Sequence, residues 1–336
     1  MHTVLSFALL FFSNVTIFFA QANSSIKLSV SSVNNPHLRE NTSEQTIIPP
    51  PISAQERHLL GKCSQEILKQ TPYSEWFKKN FDEYAPNQEI IEQFSQTGIS
   101  KQLYKQLQTT RFKIFFGSWC GDSKREVPRF LKILRSLRIN DDQIELIGVD
   151  NSDSAYKRSP NGEEKGYNVF RVPTFVIEQQ NKEIQRITEY PVESLERDLY
   201  TILSGKPYTT NYFSYKLVQQ WLNTNVLADT NISIAGLATQ FRRENPVYSE
   251  GELNACAYVL MGRGQLREAL TIFRMNAFLF PNSSNCVESL SECYERSGNI
   301  SRAILCCERA LELDSKNSAA LKRLIKLKAV VGMNQR

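Results

Sequence analysis

The spacing of apolar and polar positions changes character several times along the chain, and each change predicts a different kind of element. Residues 4–19 are almost wholly apolar, VLSFALLFFSNVTIFF, and are followed by Ala20-Gln21-Ala22. Residues 23–55 are rich in Ser, Asn and Thr and include a run of three prolines, a composition that predicts an extended or disordered leader. From Ser53 to Thr110 the period is helical, with Leu59, Leu60, Cys63, Ile67 and Leu68 at i, i+1, i+4, i+8 and i+9. Tyr73, Trp76, Phe77, Phe81 and Tyr84 follow and are read as packing this extension onto the next region. Helices are predicted over 87–96 and near 100–108.

The pattern then shortens. Residues 112–116 (FKIFF), 143–150 (QIELIGVD), 174–178 (TFVIE) and 183–188 (EIQRIT) are bulky runs of strand length, the first two read as buried strands. Between the first two, apolar residues at Val127, Phe130, Leu131, Leu134 and Leu137 predict a helix over 122–137, and a closing helix is predicted over 192–203. The stretch 151–168 is polar and rich in turn residues. It predicts a short, poorly formed helix or an irregular surface loop near the active-site face.

The last third is helical throughout and internally repetitive. Gly264 and Gly298 lie 34 residues apart, as do Ala269 and Ala303, Leu260 and Tyr294, and Pro281 and Ser315. Each unit reads helix–turn–helix. This segment resembles the tetratricopeptide repeat over residues 249–317, with Phe273/Cys307 at its bulky position, a capping helix over 318–331 and a weaker helical pair over 215–244. Residues 209–213 read as a linker. The resemblance implies a concave surface for a protein or peptide partner.

The chemistry centres on Trp119-Cys120-Gly121 at the mouth of a strand-to-helix turn. Backbone N–H groups at a helix start favour an anion, hence a thiolate over a thiol. Lys124 and Arg125 add positive charge, which Asp122 partly offsets. The turn, together with Arg171-Val172-Pro173-Thr174-Phe175 and the order β-α-β-β-β-α, resembles the thioredoxin family over residues 87–203. The resemblance implies a cis Pro173 against Cys120 and a Val172 backbone free to pair with an extended substrate chain. It also implies Trp119 as a shield for the thiol, and site roles for Gly121, Asp122, Ser123 and Thr174.

The departures matter as much. Ser123 stands where the family has its resolving cysteine, and a hydroxyl cannot resolve a mixed disulfide. Ile114 stands where the family places a buried carboxylate. The expected fold is therefore an α/β thioredoxin-like domain, 56–208, followed by an all-α repeat domain, 209–336. The expected function is monothiol thiol–disulfide exchange through Cys120 on protein substrates with thiols or disulfides. The alternative is a non-catalytic binding module that has lost turnover. Cys-Gly-Asp-Ser is also similar to the monothiol glutaredoxin type of iron–sulfur carrier, against which Trp119 and the leader argue.

Composition narrows the choice. Forty basic against 35 acidic residues give +5 with no polybasic run, which argues against nucleic acid. The first 22 residues read as a cleaved secretory signal, being short for a membrane span, so a secreted, periplasmic or envelope location is expected, with no stable membrane insertion. In that compartment an odd cysteine count (seven) leaves at least one thiol free or paired between chains. Cys256 and Cys307 read as small core side chains, and Cys63 as the one resolving candidate outside the repeats. No Cys/His spacing supports a metal, and no cofactor is expected.

Overall fold

The computed structural model describes residues 58–94, 100–245 and 248–333. The predicted signal and leader lie outside the described residues. Five strands form one mixed sheet: β1 (Gly61–Cys63), β2 (Arg111–Phe116), β3 (Ile144–Gly148), β4 (Thr174–Gln179) and β5 (Lys182–Thr188). Their spatial order is β1-β3-β2-β4-β5, with β2 parallel to β3 and the other pairs antiparallel.

β2 reads as a continuous apolar run because both of its faces are covered. Phe112, Ile114 and Phe116 pack into the larger core on one face, and Phe115 joins Ile147, Val149, Val172 and Val176 on the other. Four helices precede β2: α1 (Gln65–Leu68), α2 (Ser74–Asp82), α3 (Gln88–Gln93) and α4 (Ser100–Thr109). The larger core also takes α5 (Gly121–Ser136), through Val127, Phe130, Leu131, Ile133 and Leu134, and α6 (Leu195–Leu203). Tyr73 and Phe77 are buried in the same core, with Trp76, Phe81 and Tyr84 packed at its edge. The aromatic extension is thus part of the sheet region's core.

One expectation fails here. The helical period across Leu59–Leu68 holds only for α1, while Gly61–Cys63 pairs with β3, Gly61 opposite Gly148. Gly61 sits at φ 74°, where a side chain is disfavoured, and the Leu59 backbone presses on Gly148. A three-residue edge strand shows no alternation to read. Residues 151–168 form no helix or strand, the second of the two forms that their composition predicts.

The C-terminal region is entirely helical. It comprises α7 (Ser214–Asn223), α8 (Ile234–Glu244), α9 (Glu250–Gly262), α10 (Leu266–Leu279), α11 (Ser284–Arg296), α12 (Ile300–Leu313) and α13 (Ser318–Met333). The α9–α10 and α11–α12 turns carry Gly264 and Gly298, both at φ 78°. Ala269 and Ala303, one in each second helix, are fully buried, as are Phe273 and Cys307. No disulfide joins any of the seven cysteines, and Cys256, Cys286, Cys293 and Cys307 are core side chains. Among the described residues, no helix is long and apolar enough to cross a membrane.

Candidate active site

β2 delivers the chain to Gly117, and α5 begins at Gly121, so Cys120 is the N-cap residue of a 16-residue helix. Its amide donates to Gly117 O at 2.9 Å, and its carbonyl accepts from Lys124 N at 2.9 Å. The side chain is half-buried, and its Sγ lies 3.2 Å from the carbonyl oxygen of Val172, to which the thiol donates. The Val172–Pro173 peptide is cis. The sulfur therefore stands between a helix N-terminus and the segment that leads into β4.

Other predicted residues come to the same place with different partners. Trp119 donates from Nε1 to Val149 O at 2.8 Å and packs on Tyr156, with ring centroids 6.4 Å apart. Gly117 lies under the indole: a Cβ there would fall 2.5 Å from Trp119 Cε2. Thr174 is buried and donates to Arg171 O at 2.7 Å. Gly121 is exposed, with nothing within 4 Å of where a Cβ would stand. Val172 is buried, and its carbonyl is occupied by the thiol; among the described residues its N–H meets no backbone carbonyl.

Two expected roles move. Ser123 is fully buried and its Oγ accepts from Gly117 N at 3.1 Å, so it braces the turn from inside. Arg125 is held by Asp122 at 2.7 Å and by Glu126 at 2.5 Å, so its charge is spent along its own helix. Cys63 belongs to the opposite face of the sheet from Cys120. Its thiol points at Leu146 O, and burial pushes its pKa up to about 12, which removes it as a local resolving thiol.

What the linear pattern did not single out is a buried polar cluster where the segment before Pro173 meets the helical region. Arg171 bonds Glu189 at 3.0 Å, Tyr215 OH at 3.0 Å and Gly251 O at 3.2 Å. Glu189 also accepts from Tyr212, in the stretch read as a linker, and the Arg171 guanidinium stacks over the Tyr212 ring at 4.8 Å. Burial opposes the Arg171 charge, but Tyr215 and Glu189 outweigh it, leaving its pKa above the ordinary value. Phe170 packs on Tyr215 in the helical core, with ring centroids 5.2 Å apart. Lys157, at φ 54°, turns inward and donates to Phe170 O at 2.7 Å and Tyr156 OH at 3.0 Å. On the far side of Tyr156, a cavity of about 250 Å³ opens towards Tyr258, Gly262 and Arg296 of α9 and α11.

Fold and site together define a five-stranded mixed α/β region bearing one cysteine at a helix start, joined to a C-terminal helical region. No protein-family model and no curated protein matches the chain.

Proposed function

We propose that this chain is a thioredoxin-like protein with tetratricopeptide-type helical repeats, and that it carries out thiol–disulfide exchange through Cys120 alone. The observation that carries this reading is the placement of Cys120 Sγ. It caps α5, is half-buried, and lies 3.2 Å from Val172 O beside Pro173. The Cys120 thiolate attacks one sulfur of a substrate disulfide, forming a Cys120–substrate disulfide and expelling the other sulfur as a thiolate. A second thiol, from the substrate or a small molecule, then attacks the mixed disulfide and releases Cys120. The Val172 N–H is a donor for an extended substrate chain, and the repeats supply the surface for a protein partner. The apolar leader fits work in an exported compartment, where disulfide substrates occur.

The full burial of Ser123 and the presence of Ile114 in the sheet core favour a second reading, a binding module without turnover. The two separate on one experiment. The full chain is incubated with an aromatic disulfide, and the product is mapped by peptide mass. Exchange predicts a single adduct on Cys120 that is released by added thiol and absent in Cys120→Ala. An unmodified Cys120 after prolonged incubation leaves the binding module.

A further inference from the structure

Lys157 is 4% exposed, yet among the described residues no carboxylate touches it. Lysines are almost never fully buried without a partner. Its amine rests on one carbonyl, one tyrosine hydroxyl and the face of Tyr156, 4.4 Å from the ring centroid. The charged and titratable groups facing it are Arg171 and Glu189 from the segments flanking β4 and β5, Cys120 from the start of α5, and Cys256 from α9. Arg171 repels an ammonium. Glu189 is already shared by Arg171 and Tyr212. Tyr156 touches the amine directly, but burial raises its pKa and keeps it a neutral phenol, which leaves the two thiols as potential anions.

Cys256 is excluded as the partner. It is fully buried, and burial, reinforced by Glu252, holds its pKa well above the ordinary value. Cys120 is half-buried at the N-cap of α5. The carbonyls that hold the two groups belong to Phe170 and Val172, with only Arg171 between them. Two residues of chain span at most ~7 Å. Tyr156 is bonded to Lys157 and packs on Trp119, the residue before Cys120.

We propose that Lys157 is the internal counter-cation of Cys120, a positioning residue that takes up the proton when the thiol becomes a thiolate and returns it to the departing sulfur. This rests on the exchange reading above. The step balances without an outside reagent: Cys120–SH and Lys157–NH₂ become Cys120–S⁻ and Lys157–NH₃⁺. When the thiolate bonds to a substrate sulfur, its charge passes to the leaving thiolate. The ammonium, now without a counter-ion in an apolar site, gives that thiolate its proton and becomes an amine again. The depressed pKa of Lys157 agrees: burial first, and then Arg171, bring it down to about 7, where an amine both accepts and releases protons near neutrality.

The test is the rate of Cys120 alkylation by iodoacetamide from pH 5.5 to 9.5 in the full chain, read at the Cys120 peptide. Lys157→Met is expected to slow alkylation at pH 7 by about five- to tenfold, the effect of one nearby unit charge at intermediate dielectric. At pH 9.5 it leaves the rate unchanged, and Lys157→Arg restores part of the neutral-pH rate. A profile for Lys157→Met that superimposes on the parent's overturns the proposal. The exchange reading then still stands if the parent forms its disulfide adduct, and falls if it does not. Should Lys157→Met fail to fold, the lysine side-chain carbon shift is titrated with and without Cys120→Ala. Coupling is reciprocal, so loss of the sulfur must lower the Lys157 midpoint, and an unmoved midpoint refutes the pairing.

Discussion

Burying an amine without a carboxylate leaves a signature in stability that the Cys120 site cannot imitate. The perturbation is Lys157→Met, made in the parent chain. Burial lowers the amine from its ordinary 10.5 to about 7. Between those values the unfolded chain binds more protons than the folded one, so this group makes stability rise with pH there. Below about 7 both states hold the proton, and the whole cost of the buried ammonium is present, about 5 kcal/mol from the full span of the two values. Methionine fills the same slot without that cost. Its advantage over lysine is therefore greatest in acid and shrinks by roughly 2 kcal/mol between pH 7 and 8.5, while it changes little between pH 6 and 7. The buried thiols Cys63, Cys286 and Cys293, pushed up to about 12, have the opposite dependence above pH 8. They occur in both chains and cancel in the difference. Urea unfolding followed by tryptophan fluorescence at pH 6, 7 and 8.5 measures that difference. Two stability curves that stay parallel across pH 7–8.5 would refute the burial of an unpaired amine.

Three further outcomes follow from contacts elsewhere. Arg171→Leu strands Glu189 and releases Tyr215 and Gly251, and is expected to cost about 3–5 kcal/mol in urea unfolding. Adding Glu189→Leu should recover part of that loss, giving a positive coupling energy in the double-mutant cycle. Gly148→Ala drives a methyl into the Leu59 carbonyl, so about 1–3 kcal/mol is lost and the amides of β1 exchange faster than those of β2. Gly117→Ala displaces the Trp119 indole, which should shift tryptophan emission and raise the alkylation rate of Cys120 at fixed pH.

The strands β2 to β4 were legible because each, buried on at least one face, appears as a short bulky run, and α5 because its buried face keeps a 3.6 period; β5 was legible by its length although only Ile187 and Thr188 are buried. β1 was not, since three residues at a sheet edge impose no pattern and its place is set by the approach of Leu59 to Gly148. At the site, Cys120 was marked by its place at a strand-to-helix turn, and Trp119 and Pro173 by the family resemblance. Adjacency did not reveal the partners of Ser123 and Arg125. One hydroxyl turns inward to Gly117 N, and one guanidinium lies along its helix on Asp122 and Glu126. Lys157 carried no signal at all. A lysine in NSDSAYKRSPNGEE reads as solvated, and its burial comes from partners distant in sequence, Phe170 and α9 among them.

That burial bears on a puzzle the sequence raised. Ile114 puts a hydrocarbon in the sheet core where the resemblance calls for a proton-accepting carboxylate, and it is fully buried among Phe112, Phe116 and Phe175. No proton can be stored there. A buried titratable nitrogen, that of Lys157, instead lies in the loop beneath α9, where a Cβ on Gly262 would come within 3.1 Å of Tyr156. In the proposed reading, proton handling has moved from the sheet core to the junction with the helical region. Closing that junction is what excludes water from the amine and lowers its pKa. Movement of the helical region would then tune the thiol without touching it. A partner docked on the repeats that shifts α9 should change Cys120 alkylation at pH 7 and leave it unchanged at pH 9.5, whereas one that only shields the thiol slows both.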